Sequence, residues 1–235
     1  KYLDLAYRVE KDTSVSIKVR GKLPCRLFEV LSILNETDLA GTWAPFFKSA
    51  EREYQYTKAS QLVRQVYDYP LLGSKETIMF CAGINALEEA GCVMIFCRSP
   101  PENVETFLGL PIPEKRKIQR IQSADLVFLL YPISEGKQTT LELYGNFHHG
   151  MRFVPMKIIT FVVKKVVRGM FVSIARQCQQ FETGPYKERV EKDKDFYTWM
   201  EEKIEEYVKQ QKYAAFKIPA ESISLASFNY EDFQD

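Results

Sequence analysis

"IITFVVKKVVRGMFVSIA", residues 158–175, is the most hydrophobic stretch of the chain, and its reading decides the fold. A helix that crosses a bilayer needs about 20 predominantly apolar residues with few or no charges. Lys164, Lys165 and Arg168 interrupt this stretch near its middle, which argues against a span. Its apolar positions nevertheless cover more of the helical circumference than the single stripe of an ordinary surface helix. The stretch therefore predicts a long helix, opened by Pro155 and broken off at Gly184-Pro185. Its inner side should meet an extensive apolar surface, with the cations turned away.

The preceding sequence supplies such a surface. "SAEREYQYT", "SQLVRQVYDY", "KETIMFCAGINALEE", "CVMIFCRS", "KIQRIQSADLVFLLY" and "QTTLELYGNFHH" are rich in β-branched and aromatic residues and read as strands between Phe47 and His149. Glu89-Ala90-Gly91 and Ser134-Glu135-Gly136 read as hairpin turns, so the strands should form an antiparallel meander. Two more strands, "LDLAYRV" and "SVSIKVRG", precede them and turn at Asp12-Thr13. "PCRLFEVLSIL" places Leu27, Val30, Leu31 and Leu34 on one helical face with Pro24 in the first turn, and "NETDLAGTW" predicts a second short helix. The insert "SPPENVETFLGLPIPEKRK" should be a long surface loop. After the long helix, residues 187–212 carry Phe196, Trp199, Met200, Ile204, Tyr207 and Val208 at helical spacing. The order predicts an α+β protein of the helix-grip type, a curved antiparallel sheet wrapped around a long C-terminal helix. Residues 1–181 would form the main domain, and 182–235 an extension with one amphipathic helix and a tail.

Composition narrows the function. The chain has 235 residues, 46% hydrophobic and 27% charged, with a net charge of +1, so no global field favours nucleic acid. Five scattered cysteines, an odd number, suit reduced thiols in the cytoplasm better than a disulfide scaffold. No signal peptide opens the chain, which starts at Lys1 without a methionine and could be a piece of something longer. His148 and His149 are adjacent and would point to opposite faces of a strand, and Cys92 and Cys97, five residues apart, would do the same. Neither pair forms a metal set. There is no Gly-rich phosphate loop and no nucleophile elbow. The expectation is a protein without catalytic residues, metal or cofactor.

With its elements in this order, the chain resembles the START (steroidogenic-acute-regulatory-related lipid-transfer) domain family. "TWAP" (42–45), "YPLLGSKETIMF" (69–80), "AGCVMIFCRSP" followed by "KIQRIQSA", and "PMKIITFVVKKVVRGMFVSIARQCQQF" carry the resemblance, the last being most similar to the phosphatidylcholine-transfer-protein branch. The resemblance implies a module that holds a single lipid, phospholipid or sterol-like, in an apolar tunnel, with the terminal helix as part of the lid. It implies a carrier or sensor that is cytoplasmic and peripheral at membranes. Where the family usually has Arg-Asp, this chain has Lys75-Glu76, and lysine lacks the bidentate fork that arginine offers a phosphate. Positions that would build a choline cage read Val93 and Ala124, leaving Tyr67, Tyr69 and Tyr144 as an alternative wall. Arg120, on an alternating strand with Phe128, is the foremost ligand-binding candidate, its alternative being a buried ion pair with Glu142. Arg98 is a further candidate. Lys157, Lys164, Lys165 and Arg168 would face the membrane. Two other readings stand beside the lipid carrier: an enzyme of the wider helix-grip superfamily, and a structural or interaction subunit that docks a protein partner through helix 187–212.

Overall fold

The N-terminal alternation forms β1 (Leu3–Val9) and β2 (Val15–Leu23), paired antiparallel. The computed structural model describes residues 3–10, 14–69, 73–121, 125–147 and 156–210, with the backbone alone at residue 147 and at 156–163. The first helix, α1 (Leu27–Asn35), starts three residues later than the Pro24 signal suggests. Glu29 fixes this start, because its carboxylate accepts hydrogen bonds from the backbone N–H of Arg26 at 2.5 Å and from the Arg26 guanidinium at 2.6 Å. A 3-10 turn over Thr37–Thr42 stands where a second short helix was expected.

The meander follows as β3 (Phe47–Thr57), β4 (Ser60–Tyr69), β5 (Gly73–Ala86), a one-turn helix α2 (Leu87–Ala90) and β6 (Cys92–Arg98). The expected Glu-Ala-Gly hairpin turn is this helical turn, and it ends on Gly91, whose φ of 68° a side chain would oppose. Within the Pro-rich insert lies a small hairpin, β7 (Thr106–Phe107) with β8 (Leu110–Pro111). Then come β9 (Gln119–Arg120), β10 (Asp125–Ile133) and β11 (Gln138–Phe147).

The sheet runs β1-β2-β11-β10-β6-β5-β4-β3, antiparallel throughout. One exception is β9, which pairs parallel with β5. Cross-strand bonding between β5 and β6 begins only at Phe80, and β9 sits against β5 at Lys75 and Glu76, before that point. "KIQRIQSADLVFLLY" is therefore two elements rather than one strand.

Helix α3 (Met156–Gln179) lies against the sheet, as the helix-grip expectation requires. Val167, Phe171, Ile174 and Cys178 make its buried stripe and join a core with Val19, Leu130, Leu141 and Leu143 of the sheet and with α1. In this half of the helix Val172 is 50% exposed, so the apolar surface is narrower here than the composition implies. The start of the helix near Pro155, His148 and His149, Gln122 and Ala124, and the tail after 210 lie outside the described residues.

The predicted helix 187–212 is two helices, α4 (Pro185–Lys192) and α5 (Lys194–Gln210). Asp193 causes the break by receiving the Phe196 N–H on its carboxylate at 3.4 Å, as the residue preceding α5. Both helices pack into the main core through Tyr186, Tyr197, Ile204 and Tyr207. The Tyr197 hydroxyl hydrogen-bonds with Glu36, and the Asn35 amide donates to it at 3.2 Å. Residues 185–210 thus cover α1 and share the core of the preceding residues. At the β10–β11 turn Gly136 (φ 79°) lies under α5, and a methyl group there would meet Val208 at 3.0 Å.

The reduced-thiol expectation is corrected at one pair. Cys25 and Cys178 are joined as a disulfide, with Cα atoms 5.6 Å apart across a sequence separation of 153. Scattered positions in the chain say nothing about contact in space, and here the entry to α1 lies beside the last turn of α3. Closing so long a loop stabilises by up to about 5 kcal/mol in the chain-entropy description. Reducing the protein, or making Cys25→Ser or Cys178→Ser, should lower the urea midpoint markedly. The single variants should then be insensitive to reductant, and equilibrium unfolding with and without dithiothreitol checks both.

Candidate functional site

Successive strand residues point to opposite faces of a sheet, so register sorts every side chain of β4, β5 and β6. Met79, Val93 and Cys97 belong to the core shared with α1, α3 and α5. Gln65, Tyr67, Thr77 and Cys81 share their parity and face the helices. Leu62, Ile78 and Phe80 form a separate outer cluster with Phe107 of the insert. Arg64, Glu76 and Arg98 share that outer parity.

The outer face carries the charge. Glu76 is fully buried, and its carboxylate accepts from Arg64 at 2.5 Å and from Arg120 at 2.8 Å. Arg64 also pairs with Glu53 and donates to the Glu114 carbonyl at 3.1 Å. Arg120 donates to the Pro113 and Glu114 carbonyls at 2.9 and 3.1 Å. Two carboxylates of the sheet and two carbonyls of the insert thus meet two guanidinium groups, and the insert is fastened to the outside of β4 and β5.

The helix-facing side carries neutral polar groups. The Tyr67 hydroxyl donates to Gln65 at 3.2 Å, Gln65 stands directly opposite Thr77, and the Thr77 hydroxyl lies 3.4 Å from that of Ser99. Next along the strands Cys81 stands opposite Cys97. The hydrogen bond to Cys81, and then burial, hold the Cys97 thiol well above its ordinary pKa. The Tyr67 ring packs edge-on to Phe47 at 5.9 Å and stacks on Tyr69 at 6.0 Å. Burial raises the pKa of both Tyr67 and Tyr69, yet both side chains, like Cys81, keep some accessible surface. Ile95, Leu126, Met170 and Trp43, apolar and likewise only partly buried, pack around the same core.

The predicted site residues divide accordingly. Tyr67 faces the helices, and so does Phe128, buried in the core rather than lining open space. Lys75 has helix-facing parity at the end of β5 and donates to the Gln119 side chain at 2.6 Å. Arg120 is corrected: it lies on β9, outside the strand of Phe128, and its carboxylate partner is Glu76 rather than Glu142. Glu76 faces outward with it. Lys75 and Glu76 cannot act together, because neighbours in a strand point apart. Arg98 is outward, exposed and paired with Asp125 at 3.3 Å. Tyr144 is outward too, donating to Glu142 at 2.8 Å, while Glu142 takes Arg20 at 3.1 Å. Lys164, Lys165 and Arg168 are all exposed, and Lys164 places its ammonium 4.3 Å from the centre of the Tyr7 ring. Lys157 lies in α3, its side chain outside the described ones.

Gln65, Thr77 and Ser99 were missed in the sequence. Strand parity counted from Met79 would have found the first two. Among the described residues no three His, Cys, Asp or Glu side chains converge as a metal set, and no described helix is long and apolar enough to cross a membrane.

Solved structures share this architecture. Human StAR-related lipid transfer protein 5 superposes with a TM-score of 0.63 at 13% identity, over 77% of this chain and 84% of that one. Human STARD10 gives 0.63 at 13% identity, over 87% and 78%. A STAR-related lipid transfer protein fragment from Xanthomonas axonopodis gives 0.60 at 15% identity, over 77% and 95%. No protein-family profile and no curated protein sequence matches the chain. The chain has a START-like helix-grip fold.

Because Glu76 is buried between two cations, Glu76→Leu should leave Arg64 poorly compensated and cost about 3–5 kcal/mol. Arg120→Leu should cost less, about 1.5–3 kcal/mol, since Arg64 still holds the carboxylate. Urea unfolding of both variants should show this order.

Proposed function

We propose that this protein binds a single lipid molecule between the sheet and α3 and carries or senses it at a membrane surface, without changing it chemically. The observation that bears most weight is the division of β4–β6 into two faces: Gln65, Tyr67 and Cys81 face the helices with some surface accessible, beside partly buried Ile95, Leu126 and Met170, while the arginines of the same strands are engaged on the other face. The START-like fold, shared with structures that carry lipid-transfer names, supports the reading.

A ligand held this way leaves only when part of the wall opens, and an exposed apolar wall costs least against a bilayer. The described half of α3 is anchored at its far end by Phe171, Ile174 and the Cys25–Cys178 bridge. Lys165 and Arg168, three residues apart on one side of the helix, are exposed and suited to an anionic surface. Lys164 is committed to Tyr7 and contributes less. The competing interaction reading has its own support in Trp199 of α5, which is 40% exposed beside Phe196 and Lys58.

Native mass spectrometry of the purified chain should show one lipid per protein, and an empty, tightly filled protein would overturn the proposal. In a vesicle-to-vesicle assay, transfer should quicken with anionic lipid and slow with salt, because exposed charge is screened over about 10 Å at 0.1 M. Lys165→Glu with Arg168→Glu should slow transfer several-fold while the amount of bound lipid stays constant. Transfer indifferent to both would remove the membrane half of the proposal.

A further inference from the structure

We infer that the chain's own C-terminal segment, residues 211–235, docks on the outer face of β6, β10 and β11, with apolar side chains over Leu129 and Tyr131 and its acidic end toward β2. This goes beyond the lipid reading and does not depend on it. Cys92, Leu129 and Tyr131 have outward parity and form a second outer cluster. They are 2%, 6% and 7% exposed, and Thr140 and Glu142, outward beside them on β11, are 4% and 5% exposed. A single layer of strands leaves the outer side of its residues to water. Ile84 shows this on the same face, since it stands opposite Met94 and is 48% exposed. The other outer cluster, Leu62, Ile78 and Phe80, has a cover in Phe107 of the insert. Among the described residues, all that make up the Cys92–Leu129–Tyr131 cluster or pack on it come from the sheet itself, so its burial requires a cover from elsewhere.

Position selects the occupant. The cluster lies near the β10–β11 turn, because Tyr131 stands opposite Thr140 and the strands turn between Ile133 and Gln138. Helix α5 ends at Gln210, and its Val208 lies against Gly136 of that turn. The chain therefore leaves the described residues at the rim of the outer face. Leu129 is about 20 Å from that rim along β10, and residues 211–235 extend to about 80 Å. The stretches 11–13, 70–72, 122–124 and 148–155 adjoin the opposite ends of the strands, and residues 1 and 2 are too few to cross the face. Composition agrees with position. Tyr213, Phe216 and Ile218 come first in the segment, within reach of the cluster, and Glu231, Asp232 and Asp235 come last. On β2, Lys18, Arg20 and Lys22 stand opposite the outward Tyr144, Glu142 and Thr140, which places three cations on this face. Lys18 lies over the Tyr144 ring at 5.3 Å, Arg20 is exposed while pairing with Glu142, and Lys22 is exposed. An acidic segment that crosses them is complementary in charge.

The test uses the full chain. Iodoacetamide labelling read by peptide mass spectrometry compares two free, buried thiols: Cys92 under the proposed cover and Cys97 on the helix-facing side. In the triple variant Tyr213→Ser, Phe216→Ser, Ile218→Ser, Cys92 should label about ten-fold faster than in the parent, because its cover is loosened. Cys97 should keep its rate, which separates a lost cover from a damaged fold. Labelling of Cys92 at the parental rate would overturn the inference, and so would equal acceleration of both thiols. Zero-length carbodiimide coupling of the unaltered protein gives a second readout. It should join Glu231 or Asp232 to Lys18 or Lys22 within one chain. Absence of such links would overturn the inference. Links found only between chains, in a mixture of isotopically light and heavy protein, would place the segment on a second copy and overturn it as well.

Discussion

One carboxylate, that of Glu76, organises the charged half of this molecule. It has no exposed surface, and two guanidinium groups converge on it, one from the adjacent strand β4 and one from β9. Neither cation could sit at that depth alone, and neither could the carboxylate. The triad therefore requires β9 to lie against β5, which brings the insert over the outer face and sets Phe107 against Phe80. With this charge gathered on one side, the helix-facing side of β4 and β5 carries phenol, amide, hydroxyl and thiol, with Lys75 near the end of β5. The contrast between the faces comes from a sheet whose alternate residues were given different work.

The gross architecture was legible because it rests on periodicity. Strand alternation, the change to helical spacing at Leu27 and the apolar run of α3 are local signals, and each appears in the structure close to where it was read. Site residues were harder for a physical reason. Arg120 was placed by extending one alternating pattern as far as Phe128, whereas the two residues belong to separate strands with different partners, β9 on β5 and β10 on β6, so parity does not carry from one to the other. Lys75-Glu76 read as a charged pair, although strand geometry separates the two. Tyr144 was counted as an aromatic wall, but Leu141 and Leu143 have the helix-facing parity on β11 and turn it outward. The disulfide was illegible because a separation of 153 residues leaves no local trace.

Residues 185–210 also look different once packed. Tyr186 and Tyr197 are 1% exposed, and Phe28 of α1 meets Tyr197 at 6.2 Å, edge to face. Arg26 reaches Glu201 at 3.0 Å, and Arg189 pairs with Asp38. A segment that reads as an amphipathic appendage is the cover of α1, which would otherwise expose the outer side of its apolar residues. Its solvent side, with Lys203–Glu206 and Glu205–Lys209 pairs, is that of an ordinary surface helix except at Trp199.

The bridge between Cys25 and Cys178 makes the chain, topologically, a ring with two tails. All of β3 to β11 and most of α3 lie within the ring, while β1, β2 and the α4–α5 pair lie outside it. A protease that nicks the exposed insert once would therefore open the ring without parting the molecule. The two pieces would migrate together until a reductant separated them, and the strands on either side of the cut would stay joined through the far end of the helix they enclose.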